Sequence, residues 1–176
     1  MVLFETKRML VRRFIQGDAA YFFLINGSED VMRYIRPVKS REESNAFLQE
    51  NLHFYRDGSS LGRYAVFSKE TTAFLGTFSF LYLSGDADFH IGYALVPEAW
   101  GKGYATELVQ YGTQFFFQHT HKPAIYAITE SENRPSQQVL IKSGYLQKGQ
   151  VEESGKTLDL FFISREDAAQ FHIQNK

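Results

Sequence analysis

Two glycines stand between a strand-like run and a helix-like run near the middle of the chain. The apolar, strand-like run covers residues 91–96, and the helix-like run covers 107–117. Between them the chain reads Pro-Glu-Ala-Trp-Gly-Lys-Gly-Tyr-Ala-Thr-Glu, with glycines at Gly101 and Gly103. A strand that turns directly into a helix favours folds that combine helices with a sheet. The turn also converges backbone N–H groups at the positive end of a helix dipole, which suits a phosphate group.

Hydrophobic periodicity predicts the order strand, two helices, three strands, helix, strand, helix, two strands. Ser40 begins a possible capping box, Asn133 precedes a helix with proline in its first turn, and Gly76 is a candidate bulge. No linker or repeat interrupts this order. Residues 1–176 are therefore expected to form a single α/β domain with a mixed sheet.

Composition excludes several classes of protein. The net charge of −1 argues against general nucleic-acid binding, and the absence of cysteine excludes disulfides, thiolate zinc sites and a cysteine nucleophile. No apolar stretch is long enough to span a bilayer, and the first residues lack the apolar segment of a signal peptide. A cytoplasmic protein without metal or membrane partner is expected. The pair His119 and His121 lacks a third ligand nearby.

Three phosphate-binding interpretations of the glycine turn compete. A dinucleotide fingerprint needs a third glycine where Thr106 stands, and a Walker loop needs a glycine where Gln150 stands. The third interpretation is a pyrophosphate loop for coenzyme A, in which small residues let the backbone N–H groups of residues 101–106 approach the diphosphate. On the glycines alone, a plain strand-to-helix turn is the simpler interpretation.

Further blocks of sequence resemble the GNAT superfamily of acetyl-CoA-dependent N-acetyltransferases. Residues 103–105, Gly-Tyr-Ala, match the last three positions of the family signature Gln/Arg-x-x-Gly-x-Gly/Ala, and Trp100 stands where Gln or Arg is usual. The Trp-Gly-Lys-Gly-Tyr-Ala-Thr-Glu run, and Asn133-x-x-Ser136 followed by Gly144, resemble the branch of ribosomal-protein N-terminal (alanine/serine) acetyltransferases. The resemblance extends over residues 6–164. It implies a splayed mixed sheet of about seven strands with about four helices, and acetyl-CoA between the family's fourth and fifth strands.

The resemblance also implies which residues contact the cosubstrate. The implied acetyl-CoA-binding residues are Leu95, Val96, Trp100, Gly101, Lys102, Gly103, Tyr104, Ala105, Thr106, Asn133 and Ser136. Near Leu95, a backbone N–H freed by a bulge is expected to stabilise the thioester oxygen as it gains charge.

Two side chains are candidates for proton transfer. His90 stands where the related branch often has Glu, and as a histidine it is expected to titrate near neutrality and act as general base. A histidine that merely packs or faces solvent on a strand is the simpler interpretation, and Asp88, two residues earlier, is a weaker candidate. Ile128 and Leu140 occupy the places of a Glu and a Tyr that some relatives use, so Ser136 is the hydroxyl that remains near the leaving thiolate. A serine in a first helical turn could also be purely structural.

The acceptor is expected to be a primary amine. The branch resemblance suggests a protein N-terminus, and a small amine, such as a polyamine or an aminoglycoside-like compound, is the alternative. Only scattered carboxylates could favour a polyamine: Asp86, Asp88, Glu152 and Glu153. A non-catalytic acetyl-CoA-binding module is a third interpretation, and the oligomeric state stays open between monomer and homodimer.

Overall fold

The computed structural model describes residues 1–58, 60–83 and 88–174, and its centre is a mixed eight-stranded sheet. The strands are β1 (Val2–Glu5), β2 (Met9–Arg13), β3 (Gly62–Ser68), β4 (Phe74–Tyr82), β5 (Phe89–Leu95), β6 (Ala124–Thr129), β7 (Leu146–Glu153) and β8 (Lys156–Ser164). Their order in the sheet is β1-β2-β3-β4-β5-β6-β8-β7. All neighbouring strands run antiparallel except β5 and β6, which run parallel.

Helices cover both faces of the sheet. They are α1 (Ala19–Asn26), α2 (Glu29–Met32), α3 (Arg41–Phe54), α4 (Tyr104–His119), α5 (Arg134–Lys142) and α6 (Arg165–Gln174). The α/β expectation is confirmed. The strand β1 and the four-residue helix α2 were missing from the sequence prediction. Within the described residues, no helix has the length and apolarity needed to cross a membrane, and no cluster of metal-ligating side chains is found.

The core is rich in phenylalanine on the face that α4 covers. Phe78 and Phe80 of β4 are buried with their rings edge to face, 4.9 Å apart. Phe80 also lies 5.8 Å from Phe116 of α4. Gly112 lets α4 approach closely, because a Cβ there would lie 2.4 Å from the Phe78 ring. This packing holds α4 against β4 and β5.

Local sequence signals mark the helix ends as expected. Ser40 and Glu43 form a reciprocal capping box at α3. The Asn133 side chain accepts a hydrogen bond from the Ser136 N–H at the start of α5. The bulge predicted at Gly76 is confirmed, because the β3–β4 register shifts where Val66 pairs with Gly76.

The sheet splays between β5 and β6. The two parallel strands pair only at His90 and Tyr126 and then separate. Each strand is followed by a helix, α4 after β5 and α5 after β6, so both helices begin at the open end of the splay. A ligand that enters this opening meets two helix N-termini and the unpaired edges of two strands.

Candidate active site

A cavity of about 750 Å³ occupies the splayed end of the sheet. Its walls come from β5, β6, the glycine turn, the first turns of α4 and α5, and the segment around α2. Of the implied cosubstrate-binding residues, those that line it are Leu95, Trp100, Gly101, Gly103, Tyr104, Ala105, Thr106, Asn133 and Ser136. Val96 and Lys102 are not among the lining residues: Val96 is buried and Lys102 is exposed.

The glycine turn leaves the N-terminus of α4 open. Gly101 and Gly103 have φ angles of 71° and 78°, in the left-handed region that glycine adopts without strain. Gly103 occupies the N-cap position, so no side chain caps the first N–H groups of α4. The helices α2, α3 and α5 are each capped by a side chain. Because the first N–H groups of a helix have no acceptor within the helix, those of residues 104–106 are available to an anion.

Arg8 holds the outer side of this turn. Its Nη1 donates to the Lys102 carbonyl at 2.9 Å, and its Nε donates to Glu107 Oε2 at 2.7 Å. The guanidinium also lies 4.3 Å from the centre of the Tyr104 ring. Arg8 had no role in the sequence prediction. These contacts fix the turn in the conformation that exposes its N–H groups.

The backbone N–H of Leu95 faces the splay without any bulge in β5. The Val96 N–H donates to the Leu75 carbonyl on β4 at 3.0 Å. Backbone groups of consecutive strand residues point to opposite edges, so those of Leu95 point toward β6. The Leu95 carbonyl accepts a hydrogen bond from the Trp100 indole at 2.8 Å. The bulge expected near Leu95 was wrong, since the β4–β5 register is continuous from Tyr82–Phe89 to Gly76–Leu95. Separation of the strands leaves the donor facing the cavity.

His90 lines the cavity at the last point where β5 and β6 pair. Burial lowers its pKa to about 4, and the positive charge of Arg63 contributes to the same shift. Its buried Nδ1 has no hydrogen-bond partner among the described residues. The expectation that His90 titrates near neutrality was therefore wrong: it is neutral at pH 7 because its surroundings disfavour the imidazolium.

Ser136 is joined to a tyrosine that sequence reasoning overlooked. The Ser136 Oγ and the Tyr93 hydroxyl lie 3.2 Å apart, and both residues line the cavity. Burial raises the pKa of Tyr93 to about 12, so its hydroxyl stays protonated at neutral pH. Tyr93 comes from β5, three residues after His90. The pair places two hydroxyl groups where the sequence suggested one.

The carboxylates weighed as candidates play little part in the cavity. Asp88 and Glu152 are exposed and do not line it, nor does Glu153. Asp86 lies outside the described residues. Glu130 lines the cavity but forms an ion pair with Lys156. The apolar residues Ile128 and Leu140 line it as well, in place of the Glu and Tyr of some relatives.

Comparison with known proteins agrees with this geometry. The family model for the acetyltransferase (GNAT) domain matches residues 8–146. The uncharacterised N-acetyltransferase YnaD of Bacillus subtilis is 28% identical over 145 residues, which cover 82% of each chain. A GNAT-family acetyltransferase from Bacillus anthracis superposes with a TM-score of 0.80 at 24% identity, covering 94% of this chain and 99% of the other.

Solved structures with the same fold differ in their acceptors. Spermidine N-acetyltransferase from Vibrio cholerae, in complex with CoA and spermine, has a TM-score of 0.75 at 16% identity and covers 92% of this chain and 98% of its own. RimL, a ribosomal-protein α-N-acetyltransferase in complex with coenzyme A, has a TM-score of 0.77 at 15% identity. The superposition covers 93% of this chain and 98% of the RimL chain. At these identities the likeness extends to the fold alone. Since the family model spans most of the chain, this protein belongs to the GNAT family of acetyltransferases.

Proposed function

We propose that the protein transfers the acetyl group of acetyl-CoA directly to a primary amine bound in the same cavity. One observation carries the proposal: the uncapped N-terminus of α4 and the outward-facing N–H of Leu95 open onto one cavity. The first suits a diphosphate, and the second suits a carbonyl oxygen that gains negative charge. The Leu95 N–H lies at the end of β5, and the N-terminus of α4 follows it along the chain. This order matches the order of the thioester and the diphosphate along a CoA molecule.

The proposed cosubstrate site runs from the glycine turn to Ser136. The N–H groups of residues 101–106 would hold the diphosphate, with the exposed Lys102 adding positive charge at the rim. The pantetheine arm would then follow the edge of β5 past Leu95. On the other side Asn133 uses its side-chain oxygen to cap α5, so its amide N–H₂ is the group left to meet the arm.

The chemical step needs one bond formed and one broken. The amine nitrogen attacks the thioester carbon, and the oxygen accepts a hydrogen bond from the Leu95 N–H. Collapse of the tetrahedral intermediate breaks the carbon–sulfur bond and releases the CoA thiolate. Tyr93 and Ser136 together can donate a proton or a hydrogen bond to that sulfur, since the Tyr93 hydroxyl remains protonated at neutral pH. No cysteine is present to form an acyl-enzyme, in keeping with direct transfer.

The attacking amine must first lose a proton. His90 is neutral at pH 7 and lines the cavity at the point where the strands separate. A base with a pKa of about 4 holds a proton only briefly, so we assign His90 to pass the amine proton onward through water. Its role is therefore that of a relay, and Asp88, which is exposed and outside the cavity lining, is not part of it.

The test compares two glycines of equal backbone geometry. Gly103 and Gly155 have φ angles of 78° and 76°, so Gly103→Glu and Gly155→Glu introduce the same backbone strain and the same charge. Only Gly103 lies in the proposed diphosphate site. We expect Gly103→Glu to weaken acetyl-CoA binding by at least about tenfold in calorimetry, because two anionic groups would compete for one set of N–H donors. Equal affinities in the two variants would sink the diphosphate assignment.

A second assay separates an enzyme from a non-catalytic acetyl-CoA-binding module. Release of free CoA thiol is measured with a panel of amines that includes peptides beginning with Ser or Ala. We expect amine-dependent thiol release. Tight acetyl-CoA binding without thiol release from any amine would favour the binding module. Peptide turnover would support a protein N-terminus as acceptor, which the sequence resemblance suggests.

A further inference from the structure

Two partly buried arginines line the cavity on the face of the sheet that carries His90, which we call the acceptor side. Arg63 lies on β3 and Arg36 in the segment after α2, and both line the cavity. Arg63 pairs with Ser79 of β4, and Ser79 pairs with Gly92 of β5. Because paired residues share a face and alternate residues along a strand do too, Arg63 lies on the same face of the sheet as His90.

This face is opposite to the one that meets Tyr93 and Ser136. Tyr93 is an odd number of residues from His90 along β5, so the two side chains point to opposite faces. The aromatic ring of Phe47 on α3 lies 4.5 Å from the Arg63 guanidinium and 4.8 Å from that of Arg36. The arginines therefore belong to the layer of α1 and α3. Tyr93, which contacts Ser136 of the proposed cosubstrate site, lies on the opposite face of the sheet.

Within residues 1–58, 60–83 and 88–174, neither guanidinium forms an ion pair with a carboxylate. The ion pairs in the described part of the chain involve other residues, and Asp30, which also lines the cavity, pairs with Arg33. Arg36 donates from Nη2 to Asn26 Oδ1 at 2.8 Å, while its buried Nε has no partner among the described residues. Burial lowers the pKa of both arginines, that of Arg63 to about 10, and the charge of Arg36 adds to the effect on Arg63. The negative charge of Glu50 has the weakest of the effects on the pKa of Arg63.

Two neighbouring, partly buried cations with no ion-pair partner among the described residues are unfavourable for folding. Guanidinium groups bind carboxylate and phosphate groups through paired N–H donors, and such bonds are strong when water is excluded. A polyamine would bring further positive charge to this place and would be repelled.

We propose that the acceptor is an amine that carries an anionic group, a carboxylate or a phosphate, which Arg63 and Arg36 bind while the amine points toward Leu95. The inference rests on the proposed function, since it identifies the acceptor class for the same site. It adds two specificity-determining residues that no sequence motif marked.

Binding measurements with matched small amines test it. The probes for the protein saturated with CoA are γ-aminobutyrate, n-butylamine and 1,4-diaminobutane, which share a four-carbon chain and differ in the group at its far end. O-phosphoethanolamine and ethylamine form a second set that separates phosphate from carboxylate. We expect γ-aminobutyrate or O-phosphoethanolamine to bind at least about tenfold tighter than the amine that lacks the anion. Equal or tighter binding of 1,4-diaminobutane, or no binding of either anionic amine, would overturn the proposal.

Three variants locate the effect. Arg63→Gln and Arg36→Gln should abolish the preference for the anionic amine. Arg41→Gln should retain it, because Arg41 also lies 4.5 Å from a phenylalanine ring, that of Phe23, but is exposed and does not line the cavity. An unchanged preference in both cavity variants would refute the assignment. Acetyl-CoA binding in the same preparations shows that each variant is folded. If the wild type itself fails to bind acetyl-CoA, that result counts against the proposed transferase function and not against the binding of anionic amines.

Discussion

We predict that acidification destabilises this protein through His90. Burial lowers the folded-state pKa of His90 to about 4, whereas the unfolded chain has the ordinary value of 6.5. Between these two values the unfolded chain binds a proton that the folded chain does not. The free energy of unfolding therefore falls as the pH drops below about 6.5 and stops falling, as far as His90 is concerned, below about 4.

The size of the effect follows from the two pKa values. The His90 contribution is negligible at pH 7.5, about 0.8 kcal/mol at pH 6 and about 2 kcal/mol at pH 5. A loss of about 2 kcal/mol is a sizeable part of the stability of an ordinary domain. It should be visible as a shift of the urea midpoint.

The assay is urea unfolding at pH 7.5, 6 and 5 for the wild type, His90→Gln and His53→Gln. The His53 variant removes an exposed imidazole from α3 and so controls for the loss of one titrating group from the unfolded chain. We expect the stability of His90→Gln to fall between pH 7.5 and 5 by about 2 kcal/mol less than that of the wild type. If the wild type and His90→Gln lose the same stability, His90 is not buried as described, and the relay role that depends on its surroundings also fails.

Two further predictions concern the edge of β5 and the leaving group. Gly76→Ala should destabilise the fold by about 3 kcal/mol or more and lower turnover, because its Cβ would lie 2.2 Å from the Ala94 carbonyl oxygen beside Leu95. Gly149→Ala is the matched control in thermal melts. Gly149 has a φ of 137°, close to the 146° of Gly76, but a Cβ there would meet open space. Tyr93→Phe and Ser136→Ala should each lower kcat by about tenfold or more while leaving acetyl-CoA affinity within about twofold. A double variant no slower than either single variant would indicate that the two hydroxyls act as a unit. Parallel losses in affinity and kcat would indicate a structural role instead.

Local chemistry made part of this structure predictable. The glycine turn, the capping box at Ser40 and the Asn133 cap each depend on a few consecutive residues, and each was found where the sequence placed it. The strand β1 was missed because its four residues are only partly buried and lack a clear alternation. The helix α2 was missed because four residues are too few to show a helical period.

The acceptor side of the cavity depends on contacts between distant parts of the chain. Arg36 and Arg63 meet because β3 pairs into the sheet beneath α3, and no motif joins them in the sequence. The contact of Tyr93 with Ser136 likewise links β5 to α5 across the splay. The burial that lowers the pKa of His90 is also a property of the assembled layers. Such features follow from packing and topology, which residue patterns alone do not specify.

A crystal structure with acetyl-CoA bound would show whether the glycine turn and Leu95 hold the cosubstrate. We expect diphosphate oxygens to accept hydrogen bonds from backbone N–H groups within residues 101–106, and the thioester oxygen to lie within about 3 Å of the Leu95 nitrogen. A diphosphate bound away from the first turn of α4, or a thioester oxygen turned away from Leu95, would contradict it.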